Sequence, residues 1–444
     1  MQLKIQSAIK KYLSAHPTRF HMPGHKGGKF IKAHPKMDVT ELSFIGNEKA
    51  VKSAEKDVAE ILSAKFCRFL SDGASAGIFA SLYAVKNKGK KIIISRSSHK
   101  SLYNALKIFG IEPIIIGGLD SDGLPTIIKK EEIESNLSDQ VIGAFLTYPD
   151  YYGRTFDIKA VSEVLKSKNK LFLIDDAHGN HYKFFNLPYA GEYADIWVDG
   201  VHKTNYTYNQ GAIVCANNLE LVGALEEGVN IFSTTSPSYI ILSSVEYGIK
   251  YSYLKGKKDF LRVKRDNELA KEKIKNLGLK VVDSLDPFKL TVDFVSSKYS
   301  VKSAEKILEE KGIFAELIDD KRALFMFSAR TKTAEFNKLI KTLKKITLTL
   351  EKTDDVKIFE CCKPKKAVDY LTAVNGNFEY TPIELAVGKI TAENFGSFPP
   401  CYPVTVAGEI ILKEKLEFLE GRDVFGITDG KIKTLILEEN TNER

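Results

Sequence analysis

Five short runs rich in β-branched residues, at 91–95, 141–146, 171–175, 195–199 and 211–215, limit the folds open to this chain more than any other feature. Each run is nearly continuous in apolar residues, as in Ile92-Ile93-Ile94 and Leu171-Phe172-Leu173-Ile174, and helical stretches separate them. A strand that is apolar on both faces needs cover on both faces. Strands alternating with helices therefore predict an α/β fold built on a largely parallel sheet. The sheet domain is expected over 51–284. Before it come an amphipathic helix over 1–14 and an arm over 17–46 rich in Pro, Gly and His, which has no regular period and must pack on something else. Between 285 and 350 the pattern becomes strand, helix, two strands and helix, a smaller α+β unit. The last domain, 351–444, carries a helix near 364–371, short strands and the Pro-rich stretch around Pro399, Pro400 and Pro403.

In an open parallel sheet, ligands bind beyond the carboxyl ends of the strands, so the residues following each run are read together. Four of these loops are unusually polar: Arg96-Ser97-Ser98-His99, Thr147 to Gly153, Asp175-Asp176-Ala177-His178, and Asp199-Gly200-Val201-His202-Lys203. Upstream, Ser71-Asp72-Gly73-Ala74-Ser75 runs into a helical stretch, as a phosphate cradle of backbone N–H groups would. An aldehyde cofactor with a phosphate tail needs a lysine for a Schiff base, a carboxylate for its ring nitrogen, a flat partner for the ring and an anion cradle. Lys203, Asp175, His99 and the turn at 71–75 supply all four. Taken singly each has a plainer reading: an exposed lysine, a helix cap with Asp176 as rival carboxylate, a capped loop histidine, a structural turn. Tyr151-Tyr152 alone reads as packing.

Other chemistries fit less well. Lys+Arg total 65 and Asp+Glu 57, and the resulting charge of +8 is spread in short runs, so no nucleic-acid partner is expected. No stretch reaches the roughly 20 apolar residues of a membrane span, and no signal peptide is seen, so a cytoplasmic protein with no membrane partner is expected. Cys67, Cys215, Cys361, Cys362 and Cys401 form no disulfide framework and are read as reduced, mostly buried thiols. All eight histidines fall in the first 202 residues, but neither His178 with His181 nor His21 with His25 has a third ligand at a zinc spacing, so no metal is expected. Gly24-His25-Lys26-Gly27-Gly28 lacks the spacing of a nucleotide-binding loop.

His21-Met22-Pro23-Gly24-His25-Lys26-Gly27-Gly28, Ser98-His99-Lys100-Ser101, Asp175-Asp176-Ala177-His178-Gly179, His202-Lys203-Thr204 and Thr235-Ser236-Pro237-Ser238-Tyr239 resemble the major region of the Orn/Lys/Arg decarboxylases, in its short form. Phe398-Pro399-Pro400 through Ala407-Gly408-Glu409 resembles that family's C-terminal segment, so the likeness spans about 15–415. The resemblance implies the aspartate-aminotransferase fold with a seven-stranded type of sheet, pyridoxal 5'-phosphate as cofactor, and decarboxylation of lysine, ornithine or arginine toward polyamines. It implies that Lys203 carries the cofactor, Asp175 pairs with the ring nitrogen, and His99 and Ala177 cover the two ring faces. Gly73, Ala74, Ser75 and His202 would hold the phosphate, with His178 nearby and His202 or Lys203 returning the proton. Thr235 and Ser236 would reach the site of a second subunit, in a homodimer or higher even-numbered oligomer. Glu409 is the candidate for the substrate's distal cation. The chain departs from the family pattern at Ala74 and Gly200, each replacing a hydroxyl residue, at Ala407, replacing a proline, and after Glu41, where the usual Asp-Asp-Leu is missing. The rival readings are an aminotransferase or lyase of the same fold, with Arg330 as a possible carboxylate clamp, and a decayed binding or regulatory relative.

Overall fold

The five apolar runs become five strands of one seven-stranded sheet. The computed structural model describes residues 3–31, 34–42, 46–47, 49–120, 122–352, 363–398 and 401–437. After a short strand β1 (Thr18–Phe20) in the arm come β2 (Phe66–Leu70), β3 (Lys91–Ser95), β4 (Glu112–Ile116), β5 (Val141–Thr147), β6 (Leu171–Asp175), β7 (Ile196–Asp199) and β8 (Ala212–Ala216). Their spatial order is β2-β8-β7-β6-β5-β3-β4. All are parallel except β8, which runs against both neighbours.

Period-two alternation sorts the side chains into two cores. Ile93, Phe172, Ile174, Trp197, Ile213 and Cys215 face one layer of helices. Ile92, Ile94, Leu173, Val198, Val214 and Ala216 face the other. Each fully buried side chain of this size contributes roughly 1.5–3 kcal/mol. Trp197 needs a partner for its N–H in such a place. It donates to the Tyr189 hydroxyl at 2.8 Å.

The smaller unit is a four-stranded antiparallel sheet of β9 (Lys280–Val281), β10 (Lys289–Asp293), β12 (Leu317–Ile318) and β13 (Arg322–Met326), in the order β12-β13-β10-β9. It is backed by the helices Lys257–Asn276, Val301–Glu310 and Thr333–Thr349, and Phe260, Val263 and Ile274 of the first share its core. Strand β11 (Ile313–Ala315) pairs in parallel with β1 of the arm, Thr18 opposite Ile313. The arm thus packs on the smaller unit and on the sheet loops. Its Gly24 donates to the His202 carbonyl at 2.8 Å, and a Cβ there would stand 2.4 Å from the Asn205 oxygen. Only glycine allows that approach.

The C-terminal region pairs β14 (Phe378–Pro382) with β17 (Lys431–Leu435), and β15 (Gly396–Ser397) with β16 (Val424–Phe425), around Phe395, Ile411 and Ile432. Its helix begins later than the sequence suggested, at Tyr370–Asn375 and not near 364. Lys366 is held in an extended bridge to Glu409, and the carboxylate of Glu112, on the sheet edge, accepts the N–H groups of Tyr370 and Leu371 at 2.9 Å each. That carboxylate satisfies the open end of the helix and fixes where it starts. Cys361, Cys362, Pro399 and Pro400 lie outside the described residues. Among the described residues, no helix is long and apolar enough to cross a membrane.

Candidate active site

Parallel register brings the carboxyl ends of the central strands level, with Thr147 beside Asp175 and Asp175 beside Val198. Above them opens a cavity of about 570 Å³. Gly73, Ala74, Ser75, His99, Asp175, Ala177, His178, His202 and Lys203 all line it. Nine residues proposed from four separate stretches of sequence therefore meet in one place.

Lys203 sits on the single-turn helix Val201–Thr204, directly after β7. Its Nζ lies 3.0 Å from His178 Nε2. Burial lowers the lysine's pKa, while Asp175 opposes that shift. A lysine so placed yields its proton more readily than a surface one, as an amine nucleophile requires. Asp175 ends β6, and Oδ1 accepts from the Ala177 N–H at 3.2 Å. Burial raises its carboxyl and Lys203 pulls it back.

The rival carboxylate is excluded by direction. Asp176 does not line the cavity; it is buried near Asp199, and burial followed by that neighbouring charge pushes its pKa well above the ordinary range. Asp199 Oδ2 accepts from Asn180 and Tyr189 at 2.7 Å each. Neighbouring buried carboxyls favour the protonated form of one of them, and the Asn180–Asp199 bond ties the loop after β6 to the end of β7.

His99 caps the helix Lys100–Phe109 through Nδ1 and also contacts the Ser101 hydroxyl at 2.8 Å. Burial, then Lys203, depresses its pKa to about 3, and burial lowers His202 to about 4. Both imidazoles are neutral from pH 5 to 8. The helix Ala74–Val85 points its N-terminus at the cavity, and its N-cap, Gly73, supplies no side-chain acceptor. Its first N–H groups have no intrahelical partner and are free to hold an anion. These donors, Lys203, buried Asp175 and the neutral ring of His99 fit an aldehyde-bearing phosphate ester with a pyridine ring.

Two departures from the family pattern have local causes. A Cβ on Gly200 would lie 2.6 Å from the Ala177 oxygen, so the two loops meet more closely than a serine permits. Ala407 donates its N–H to Asn394 at 2.8 Å, a bond that proline could not make.

Several expectations need correction. Glu409 lies outside the cavity, where its buried carboxylate pairs with Arg96 and with Lys415 at 3.3 Å. Burial would raise its pKa, but the two cations hold it below the ordinary glutamate range. With its charge already matched, it has none left for a substrate. Glu409→Gln is expected to cost about 3–5 kcal/mol of stability by stranding two buried cations. It should leave KM for a basic amino acid within twofold; chemical denaturation and steady-state kinetics on one preparation check both. The stabilisation is present above the ordinary glutamate pKa of 4.5 and disappears as pH falls through the depressed value.

Thr235 and Ser236 lie on an exposed loop and do not line their own chain's cavity. Arg330 also lies away from it, donating to the Lys29 carbonyl at 3.2 Å with its guanidinium over the Tyr206 ring. The histidines set aside as metal pairs have other partners: His178 faces Lys203, His181 binds Asp286 at 2.7 Å, and His21 binds the Tyr12 hydroxyl at 2.7 Å.

The cavity also holds residues that sequence reasoning passed over. Tyr151, read as packing, lines it edge-on to His178 and donates its hydroxyl to Glu316 Oε1 at 2.7 Å. Glu316 Oε2 accepts the Met22 N–H at 2.7 Å. Cys401, expected to be buried, is half-exposed on the cavity wall. The polar turn after β5 was a signal for Tyr151; Glu316 had none.

Comparison with known proteins gives consistent findings. Residues 5–293 match the family described as Orn/Lys/Arg decarboxylase, major domain. The chain is 28% identical to an arginine decarboxylase of Bacillus subtilis (strain 168), with 94% of this chain and 92% of the relative covered. It is 21% identical to the inducible lysine decarboxylase of Escherichia coli (strain K12), over 94% and 76%. Among solved structures, the constitutive lysine decarboxylase of E. coli superimposes with a TM-score of 0.75 at 18% identity, covering 98% of this chain and 82% of the other.

Proposed function

This chain belongs to the Orn/Lys/Arg decarboxylase family and is a pyridoxal-phosphate-dependent amino-acid decarboxylase; on that footing we propose that its substrate is a basic L-amino acid, lysine, ornithine or arginine, converted to the corresponding amine and CO2. The observation that carries the reading is the meeting of Lys203, Asp175, His99 and the bare helix N-terminus at 74 in one cavity.

Pyridoxal phosphate, when bound, supplies an aldehyde that condenses with amines and a ring that takes up the electron pair of the bond being broken. In this reading the first N–H groups of the helix Ala74–Val85 hold the phosphate. Lys203 is the lysine that carries the cofactor, its pKa lowered by burial. Asp175 keeps a positive charge on the ring nitrogen by opposite-charge stabilisation. His99 and Ala177, both on the cavity wall, would cover the two ring faces. Lys203 and neutral His178, 3.0 Å apart, can exchange the proton that replaces the lost carboxylate, and His202 stands next to them. Arg330, outside the cavity, offers no carboxylate clamp of the kind a transaminase uses.

The exposed loop with Thr235 and Ser236 serves a second copy in a homodimer or larger even-numbered assembly, and the protein works in the cytosol on polyamine precursors. The holoenzyme incubated with equal amounts of L-lysine, L-ornithine and L-arginine is expected to yield one predominant amine among cadaverine, putrescine and agmatine by mass spectrometry. No amine from any of the three rejects the substrate class.

A further inference from the structure

A basic substrate brings a second cation, and the cavity must answer it. Three acidic residues line the cavity: Asp150, Asp175 and Glu316. Asp175 lies beside Lys203 at the end of β6, where the ring nitrogen is assigned. Asp150 is matched by Arg154, whose Nε lies 3.0 Å from Oδ2, and Oδ1 is filled by the N–H groups of Tyr152 and Arg154. Glu409 is spent on Arg96 and Lys415. Glu316, like Asp175, is in no ion pair among the described residues, and its charge is felt at Lys26, Lys203 and Lys289.

Glu316 is also held in place. It lies between β11 and β12, and its own N–H is anchored to the Leu324 carbonyl at 2.9 Å. Each carboxylate oxygen takes one donor, Tyr151 Oη or the Met22 N–H, which leaves a lone pair on each. Both donors are neutral: burial, then Glu316, pushes the Tyr151 hydroxyl well above its ordinary pKa, so it stays protonated. Met22 and Tyr151 also line the cavity, and their apolar surface suits a methylene stem.

We propose that Glu316, oriented by Tyr151 and the Met22 backbone, is the acceptor for the distal ammonium or guanidinium of the substrate, a specificity role that rests on the basic-amino-acid reading above. The carboxylate comes from the smaller unit, its two braces from the arm and from the loop after β5.

The test compares holoenzyme forms on the basic amino acid the wild type prefers and on L-norleucine, a neutral chain of similar reach. Glu316→Gln keeps both braces, since the amide oxygen still accepts from Met22 and the amide nitrogen donates to Tyr151; only the charge is lost. The ratio of kcat/KM for the basic substrate over norleucine is expected to fall about 10- to 100-fold, chiefly through KM, as for loss of a charge-assisted hydrogen bond. Glu316→Asp, which keeps the charge, should retain more of that ratio. An equal fall for both substrates, as from a purely structural brace, overturns the assignment, and so does an unchanged ratio or an equal loss in both variants. A wild type that forms no amine from any basic amino acid overturns the substrate reading and this inference with it. That failure appears before any variant is made.

Discussion

Lys203→Ala is expected to give a folded protein that forms amine at least about 10²- to 10⁴-fold more slowly than the wild type. The fold should survive because the helix that carries Lys203 is held by backbone: Lys203 N–H donates to the Gly200 carbonyl at 2.8 Å, and the His202 carbonyl accepts from Gly24 at 2.8 Å. Two other lysines near the cavity have depressed pKa values, Lys26 at about 7 and Lys289 at about 8, chiefly through burial. Neither can stand in. Lys26 Nζ is tied to the His21 and Met326 carbonyls, Lys289 Nζ to those of Asp150 and Tyr151, and neither lines the cavity. Single-turnover kinetics and the visible spectrum with added pyridoxal phosphate read the result. Turnover within tenfold of the wild type would remove Lys203 from the chemistry.

Asp175→Asn should lower kcat by about 10²- to 10³-fold, the cost of losing one preorganised charge where charge develops. The side chains are isosteric and the oxygen that accepts from Ala177 remains, so geometry is preserved. Cofactor affinity, measured by equilibrium dialysis, should fall much less, because the start of the helix Ala74–Val85, proposed to hold the phosphate, is untouched. A variant with near-normal kcat, or one that loses cofactor as steeply as activity, would give Asp175 a binding role in place of an electronic one.

That Lys203 and Asp175 would meet at one cavity was legible in the sequence because one sheet edge gathers them. Each follows an apolar strand, and parallel topology brings all such ends to the same side. The two strands that escaped notice lack that signature. In β2, Arg68 interrupts the apolar run and pairs with Glu55 and Glu226 on neighbouring helices. In β4, Pro113 argues against a strand, yet β4 is the sheet's edge, where a missing N–H is tolerated. Glu409 misled for another reason. A motif gives the residue but not its neighbours, and Arg96 and Lys415 reach it only in the folded chain. Glu316, Tyr151 and Met22 come together from three distant segments, and no periodicity or spacing encodes such a meeting.

The pairing of β1 with β11 sets when this protein can become competent during its synthesis. Thr18 must wait for Ile313, and Met22 for Glu316, before the wall of the cavity opposite the sheet can close. Closing so long a chain segment is entropically slow compared with local contacts. A nascent chain that has finished all seven sheet strands, at Ala216, already carries Lys203 but lacks that wall. The reactive amine is thus made early and enclosed late, and a ribosome-stalled chain ending before 313 should capture pyridoxal phosphate without the selectivity of the finished enzyme.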